Sequence, residues 1–348
     1  MYNFSHHLCQ AGSTILQAFH QMNNLGKNLT LFIINVEGRL LGTLTDGDIR
    51  RGLLNGKSLE DPVEQFMLKN FHFVKDRIDV QYIKSLKKKG IGLIPAINDE
   101  NLITRIYNLD DLKTILPAHA VIMAGGKGER LRPLTDSLPK PMLKLGEKPL
   151  IQLTVEWMEK FGIENISISV HYLADKITNH FTNYVTASID FIKEDKPLGT
   201  IGSLAIRDDY KNEYILVTNA DLFTNIDYED LFVNYIDKKA DLAVATVPYT
   251  VNIPYAIFEA DGKLIKGYRE KPTNTYYANA GIYLFRKEFI KLIPKNIFFN
   301  ATDFIDLFLK KGLKIIHNPI VGYWIDIGRI EDFQKAQEIY RHLSYFDK

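Results

Sequence analysis

Cysteine is almost missing from this 348-residue chain, and Cys9 is the one example. A single thiol excludes an internal disulfide and a cysteine-built metal cluster. Cys9 sits in a mixed segment without a lysine or arginine beside it, as a structural or surface thiol does. An excess of either charge is missing too. Lys and Arg total 43 against 42 Asp and Glu, a net charge of +1, so nothing in the global balance calls for nucleic acid or an anionic membrane as partner. No apolar run reaches the length of a membrane span, and MYNFSHHLCQAG at the start lacks a basic region followed by an apolar core. Both absences argue against secretion and membrane insertion and place the expected location in the cytoplasm. What remains is 46% apolar and 24% charged, an ordinary globular composition with length for two domains.

The most informative stretch is His119–Leu150. The apolar run Ala120–Met123 suits a buried strand of a parallel sheet. It breaks into Ala124, Gly125, Gly126, Lys127 and Gly128, where little side chain keeps a ligand from the backbone and successive N–H groups can turn toward one anion. Arg130, Arg132, Lys140 and Lys144 follow. A Walker loop does not fit this spacing, and the dinucleotide fingerprint requires glycine where Leu131 stands. The loop therefore reads as a phosphate cradle of another kind.

Residues 1–116 read as two copies of one unit. The first copy has a helix over Thr14–Met22, strands Leu31–Asn35 and Leu40–Thr45, and a helix Asp46–Leu54. The second has a helix over Asp79–Lys89, strands Leu93–Ile97 and Leu102–Tyr107, and a closing helix within Asn108–Leu116. Asp48 and Asp111 hold the same place at the start of the two closing helices. They could cap those helices or bind a ligand. The hinge Leu116–His119 contains no flexible Gly/Ser linker.

From 119 to 348 the periodicity alternates between strand and helix: strands at Asn165–Val170, Asp190–Lys193, Tyr214–Thr218 and Asp241–Val247, helices at Leu150–Phe161, Leu173–Tyr184 and Tyr228–Lys239, and a helix beginning at Ile201–Ile206. This predicts an α/β domain with a Rossmann-like, mostly parallel sheet, whose ligands sit beyond the strands' carboxyl ends. The remaining motifs fall there: Glu194–Gly202, Val217–Asp221, Tyr268–Pro272, Asn279–Tyr283 and Tyr323–Gly328. A lone Asp221 after a strand could be a helix cap, but a carboxylate in that place also suits Mg²⁺. Asn300–Asp303 reads as a helix cap.

The run Ala124–Thr135 with Pro139–Met142 resembles the signature of sugar-1-phosphate nucleotidyltransferases, whose domains have a GT-A-like fold. Glu129 departs from the pattern, since most members carry Thr or Ser there. The resemblance implies nucleotide binding by Ala124, Gly125, Gly126, Gly128 and Gly199, with Arg130, Lys140 and Lys271 as the catalytic cations. It implies Mg²⁺ on Asp221 and Asp326, and sugar binding by Glu270, Asn279 and Gly281. His171 and Tyr172 fall near where relatives read the base, or simply pack. Residues 1–116, with Gly42–Arg50 at the end of the second strand, resemble a tandem CBS (Bateman) module. That likeness implies an adenine nucleotide on Thr45, Asp48 and Asp111, although Asn108 and Arg105 replace the Thr and Gly of the motif in the second copy. It also implies a homo-oligomer formed through the module. The pairing of the two resembles guanylyltransferases of bacterial surface-sugar pathways, including those acting on glucosamine 1-phosphate for legionaminic acid, and mannose-1-phosphate guanylyltransferases. Hence GTP is the favoured nucleotide. No hexapeptide repeat follows Asp326, so the β-helix acetyltransferase domain of some relatives is not expected.

Two rival readings come from other classes. A molybdopterin-type nucleotidyltransferase shares the glycine loop, but Glu270–Pro272 and Tyr323–Gly328 speak against it. A non-catalytic nucleotide sensor would not need the full set Arg130, Lys140, Asp221, Lys271 and Asp326.

Overall fold

Thr14 opens the first helix through a reciprocal bond. Its hydroxyl accepts from the Gln17 N–H while the Gln17 side chain accepts from the Thr14 N–H. Thr45 opens a second helix in the same way in the computed structural model, which describes residues 4–75 and 79–346. Two units emerge, Met1–Pro117 with Lys160–Gly162, and Ala118–Glu159 with Ile163–Lys348.

The first unit contains β1 (Leu8–Gln10), α1 (Ile15–Asn23), β2 (Thr30–Ile34), β3 (Leu40–Thr45), α2 (Asp46–Leu54), α3 (Val80–Lys88), β4 (Leu93–Ile97) and β5 (Ile103–Asn108). Strands β1, β2 and β3 form one sheet in that order, and β4 pairs antiparallel with β5 in another. Ile15, Ala18 and Met22 from one face of α1 pack with Leu31, Ile33 and Leu44, all buried. Phe32, Leu40 and Ile97 form a further apolar cluster that joins the two sheets.

The expected closing helix within Asn108–Leu116 is not formed. The Asn108 side chain accepts from Asp110 N–H at 3.1 Å and donates to the Asp111 carboxylate at 2.7 Å, turning the chain before a helix can start. Beyond it the backbone bonds outward, Lys113 N–H to Lys160 O at 2.5 Å and Leu116 N–H to Phe161 O at 2.9 Å. Pro117 adds a bias against helical geometry at Leu116. Asp111 therefore caps no helix.

The second unit contains β6 (Ala118–Met123), β7 (Lys144–Leu145), β8 (Lys148–Pro149), α4 (Leu150–Glu159), β9 (Asn165–Val170), α5 (Ala174–Phe181), β10 (Ser188–Lys193), β11 (Tyr214–Asn219) and β12 (Leu222–Thr224). It continues with α6 (Tyr228–Asp237), β13 (Leu242–Asn252), β14 (Ile257–Asp261), β15 (Leu264–Arg269), β16 (Thr273–Arg286), α7 (Ala301–Lys310), β17 (Ile315–Pro319), β18 (Trp324–Asp326) and α8 (Ile330–Phe346). The central sheet has seven strands in the order β10-β9-β6-β11-β16-β13-β17, and only β16 runs against the rest. Strands β6, β9 and β11 are buried on nearly every residue because both sheet faces are covered.

Two expectations need correction. Gly202–Ile206 is a short 3₁₀ turn rather than the start of a helix, because the Ile201 and Gly202 N–H groups both donate to Phe299 O. The chain between β13 and β16 is longer and more regular than its motif announced. The far halves of these strands pair outside the core, and β14 and β15 form a hairpin with Tyr255, Phe258 and Tyr268 exposed.

Candidate active site

Met123 ends β6 at the centre of the sheet, and Ala124 is tied to the neighbouring strand by its N–H bond to Ser169 O at 2.9 Å. From there the chain leaves the sheet as the glycine loop. Among the described residues, the N–H groups of Gly125, Gly126, Lys127 and Gly128 have no acceptor within the protein, a row of free donors suited to an anion. Gly128 adopts φ +65°, and a Cβ there would lie 3.0 Å from the Lys140 Cβ and 3.2 Å from Thr135 Cγ2. The loop is held from behind: Thr135 Oγ1 donates to Gly128 O at 2.9 Å, and Tyr172 OH donates to Thr135 O at 3.3 Å.

This loop lines a cleft of about 390 Å³ together with Arg130, Lys140, Asp221 and Gly328. The exposed Arg130 guanidinium lies over Gly328, where a Cβ would stand 3.5 Å from it. Lys140 starts a short 3₁₀ turn flanked by Pro139 and Pro141 and is only 8% exposed. Its ammonium pairs with Asp221 Oδ2 and lies 3.7 Å from Asp326 Oδ1.

The two carboxylates come from residues 105 positions apart in the chain, and a small sheet brings them together. Asp221 follows β11, β12 begins at Leu222, and Leu222 stands opposite Asp326 in the antiparallel β12–β18 pair. Ile327 N–H then donates to Asp221 O at 3.0 Å. Burial and the neighbouring Asp221 raise the Asp326 carboxyl above its ordinary pKa, while Lys140 and Arg130 oppose the rise. Asp221 Oδ1 is buried without a partner. Among the described residues no three His, Cys, Asp or Glu side chains gather as a metal site. Two carboxylates with one free buried oxygen nevertheless fit a Mg²⁺ ion, which completes its shell with phosphate oxygens and water.

A second cleft, of about 290 Å³, lies on the other side of Asp326 and is lined by Thr200, Asn219, Asn279, Gly281, Asn300 and Trp324 among others. Asn279 Oδ1 accepts from Gly281 N–H at 2.9 Å and its amide meets Tyr283 OH at 2.8 Å. Gly281 has φ +73°, and a Cβ there would lie 2.6 Å from the Asn219 amide nitrogen. Trp324 Nε1 donates to Ala280 O at 3.0 Å. The wall is thus a row of neutral amides and hydroxyls fixed by one another.

The sequence reading took Asn300 for a helix cap only, and it placed Thr200, Asn219, Tyr283 and Trp324 within motifs at this end of the sheet without singling them out as lining residues. It also missed the part played by Glu194. This 7%-exposed carboxylate accepts from Ser169 Oγ at 2.6 Å and Leu198 N–H at 2.9 Å, and its Oε1 lies 3.0 Å from where a Gly125 Cβ would be. His171 Nδ1 donates to the Glu194 carbonyl at 2.9 Å. Gly199 (φ +83°) passes so close to Phe299 O that a Cβ would lie 2.6 Å from it, so it shapes the loop before Thr200. Glu270 and Lys271 lie elsewhere, exposed in the turn between β15 and β16 with Lys271 at φ +42°, and line neither cleft.

In the first unit, Thr45 and Asp48 form the capping box of α2. Asp48 Oδ2 accepts from Thr45 N–H at 2.9 Å and from Thr45 Oγ1 at 2.6 Å, and Oδ1 pairs with Arg51 at 2.5 Å. Asp111 accepts from Asn108 as described.

Comparison with known proteins places this geometry. A model of the nucleotidyl transferase family matches residues 119–342. Over 230 residues the chain is 34% identical to the bifunctional protein GlmU of Methanocaldococcus jannaschii, a match covering 63% of this chain and 53% of that one. It is 31% identical over 234 residues to the D-glycero-alpha-D-manno-heptose 1-phosphate guanylyltransferase of Aneurinibacillus thermoaerophilus, covering 64% of this chain and 98% of the relative. The mannose-1-phosphate guanyltransferase beta-B of Xenopus laevis is 29% identical, with 64% of its length covered. The chain thus spans about half of the GlmU relative and under two thirds of the Xenopus one. Among solved structures, HddC from Yersinia pseudotuberculosis matches at 29% identity and a TM-score of 0.51, covering 64% of this chain and 99% of HddC. HddC has also been solved in complex with GMP-PN.

Proposed function

This chain belongs to the nucleotidyl transferase family, and from that premise we propose that it joins a nucleoside triphosphate, GTP by preference, to a sugar 1-phosphate, yielding a nucleotide sugar and pyrophosphate. The observation that carries the reading is that two unlike clefts, one lined by Lys140 and Asp221 and the other by Asp326, are linked by the ion pairs of Lys140 with both aspartates. One cleft offers free backbone donors and cations, as a triphosphate needs. The other offers neutral amides and hydroxyls, as a sugar needs.

In this reading the glycine-loop N–H groups and Arg130 hold the β- and γ-phosphates, and Lys140 neutralises the α-phosphate. A phosphate oxygen of the sugar 1-phosphate attacks the α-phosphorus in line. The new P–O bond forms as the bond to pyrophosphate breaks, and the electron pair leaves with pyrophosphate. No general base takes part, because the attacking phosphate is already ionised at neutral pH. Catalysis rests on positioning and charge neutralisation. Asp221 and Asp326 would hold Mg²⁺, which supplies further neutralisation of the two anions. Glu270 and Lys271 reach the sugar phosphate only if the β15–β16 turn moves toward the second cleft.

The preference for GTP draws support from the guanylyltransferase names of the relatives and from the GMP-PN complex of HddC. Mannose, heptose and glucosamine 1-phosphates are the sugars to try first, the last through the likeness to enzymes of legionaminic acid synthesis. The first unit is read as a tandem CBS module that binds an adenine nucleotide at Thr45 and Asp48 and pairs two copies of the chain. An incoming ribose there would have to displace Arg51 from Asp48.

Pyrophosphate release with Mg²⁺, measured for four nucleoside triphosphates against these sugar phosphates, tests the reading. Release with GTP and one sugar is expected. Silence with every pair would reject it in favour of a nucleotide sensor.

A further inference from the structure

The ammonium of Lys140 is a cation that Asp221 and Asp326 share. It pairs with Asp221 and lies 3.7 Å from Asp326, the two carboxylates read above as metal ligands. The contact is built rather than incidental. Lys140 is 8% exposed, its Cβ lies 3.0 Å from where a Cβ on Gly128 would be, and Pro139 and Pro141 restrict the backbone on both sides. The stem is therefore fixed against the glycine loop, and the flexible end can turn either to the aspartates or into the cleft that it also lines.

We propose that Lys140 is the resident counter-cation of Asp221 and Asp326, and that it keeps divalent metal out of the site until nucleotide phosphates draw the ammonium away. This rests on the reading of those two aspartates as the metal carboxylates. The charges support an exchange rather than a permanent bridge. Arg130 also acts on Asp326, but Asp221 Oδ1 is buried without a partner, so Asp221 still attracts positive charge beyond its pair with Lys140. A divalent ion entering beside Lys140 would stand within a few ångströms of a like charge, which weakens its binding. Phosphate oxygens arriving on the loop's free N–H groups offer the ammonium a competing partner. Once it turns to them, both carboxylates are released together. Metal therefore enters with the nucleotide and is not stored in the resting protein.

Titration of the nucleotide-free full-length chain with Mn²⁺, followed by electron paramagnetic resonance, tests the exchange. Lys140→Met should bind Mn²⁺ at least about tenfold more tightly than the unaltered chain, the scale of losing one close like charge. Lys140→Arg should stay as weak as the unaltered chain, and adding Asp221→Asn to Lys140→Met should erase the gain. Lys140→Gln serves as a second neutral variant if Met impairs folding. Equal affinities in the unaltered and neutral variants, or a gain that survives Asp221→Asn, would overturn the proposal. The pyrophosphate assay separates this result from the fate of the transferase reading. An active chain whose metal affinity ignores Lys140 rejects the exchange alone, while a Lys140-dependent gain in a chain that releases no pyrophosphate rejects the transferase reading alone.

Discussion

The cleft lined by Lys140 and the cleft lined by Asp326 are made of different material. Toward the glycine loop, most of the lining (Met123, Ala124, Gly126–Leu131, Lys140 and Pro141) comes from one stretch of chain, and Ala220, Asp221 and Gly328 complete it. Toward Trp324, the lining comes from segments near 200, 219, 280, 300 and 324. A polyanion can be held by any row of N–H groups and cations, which one loop supplies. A neutral sugar needs acceptors and donors at fixed points in space, which several elements must bring together. The first kind of site leaves a compact mark in the sequence, and the second kind does not.

The comparison can be broken most forcefully at the shared centre. Lys140→Ala should lower kcat by ~10²-fold or more, the scale of removing one preorganised charge-stabilising donor, and steady-state kinetics with saturating substrates checks it. Lys271→Ala should cost the same only if the exposed β15–β16 turn closes on the sugar phosphate during turnover. A near-normal rate in both variants would remove the cations from the mechanism.

Next in size is the brace behind the glycine loop. Glu194→Ala leaves Ser169 Oγ and Leu198 N–H without their acceptor and should cost about 1–3 kcal/mol of stability, read from urea melts. In the folded variant, the KM for nucleotide should rise more than that for the sugar phosphate, since the brace belongs to the first cleft. The second cleft is tested at Gly281. A methyl group there meets the Asn219 amide and strains a φ of +73°, so Gly281→Ala should raise the KM for sugar 1-phosphate about tenfold and leave that for nucleotide nearly unchanged. Parallel changes in both constants would mean that the clefts are not separate sites.

The smallest effect should favour neither cleft. His119, near the start of the strand that ends in the glycine loop, is 2% exposed, bonds Ser167 Oγ at 2.8 Å and accepts from Lys211 N–H at 3.2 Å. Burial above all holds its pKa down at about 4, against 6.5 for a free imidazole, and Arg207 and Lys211 push the same way against Asp190 and Asp209. The unfolded chain therefore binds the proton first. The contribution to stability is complete above pH 6.5 and is lost progressively as the pH falls toward 4. Between pH 7 and pH 5.5 the loss should be ~1 kcal/mol, measured by urea melts at both values and absent in His119→Gln.

Legibility followed the range of the interactions. Helix α2 appears at its expected bounds because a Thr45–Asp48 box starts it and nothing distant competes. The same spacing at Asn108–Asp111 produced no helix, since the backbone there bonds to residues 160 and 161 instead. Asn300 caps α7 as its Asn-x-x-Asp pattern implies. The long arm of β13 and β16 went unread because its exposed aromatics lack the alternation of a half-buried strand. Glu270 and Lys271 were legible as a motif, yet their place outside both clefts was not.

The sequence by itself determined the glycine loop with its free N–H groups, the cations that follow it and the alternation that builds the sheet. These depend on backbone freedom, charge and hydrophobic period within a few residues of one another. Only the tertiary structure decided that Asp221 and Asp326 share Lys140, through the β12–β18 pair, and that residues from five segments line a second cleft. Register between distant strands fixes those meetings, and no single stretch of chain carries that register.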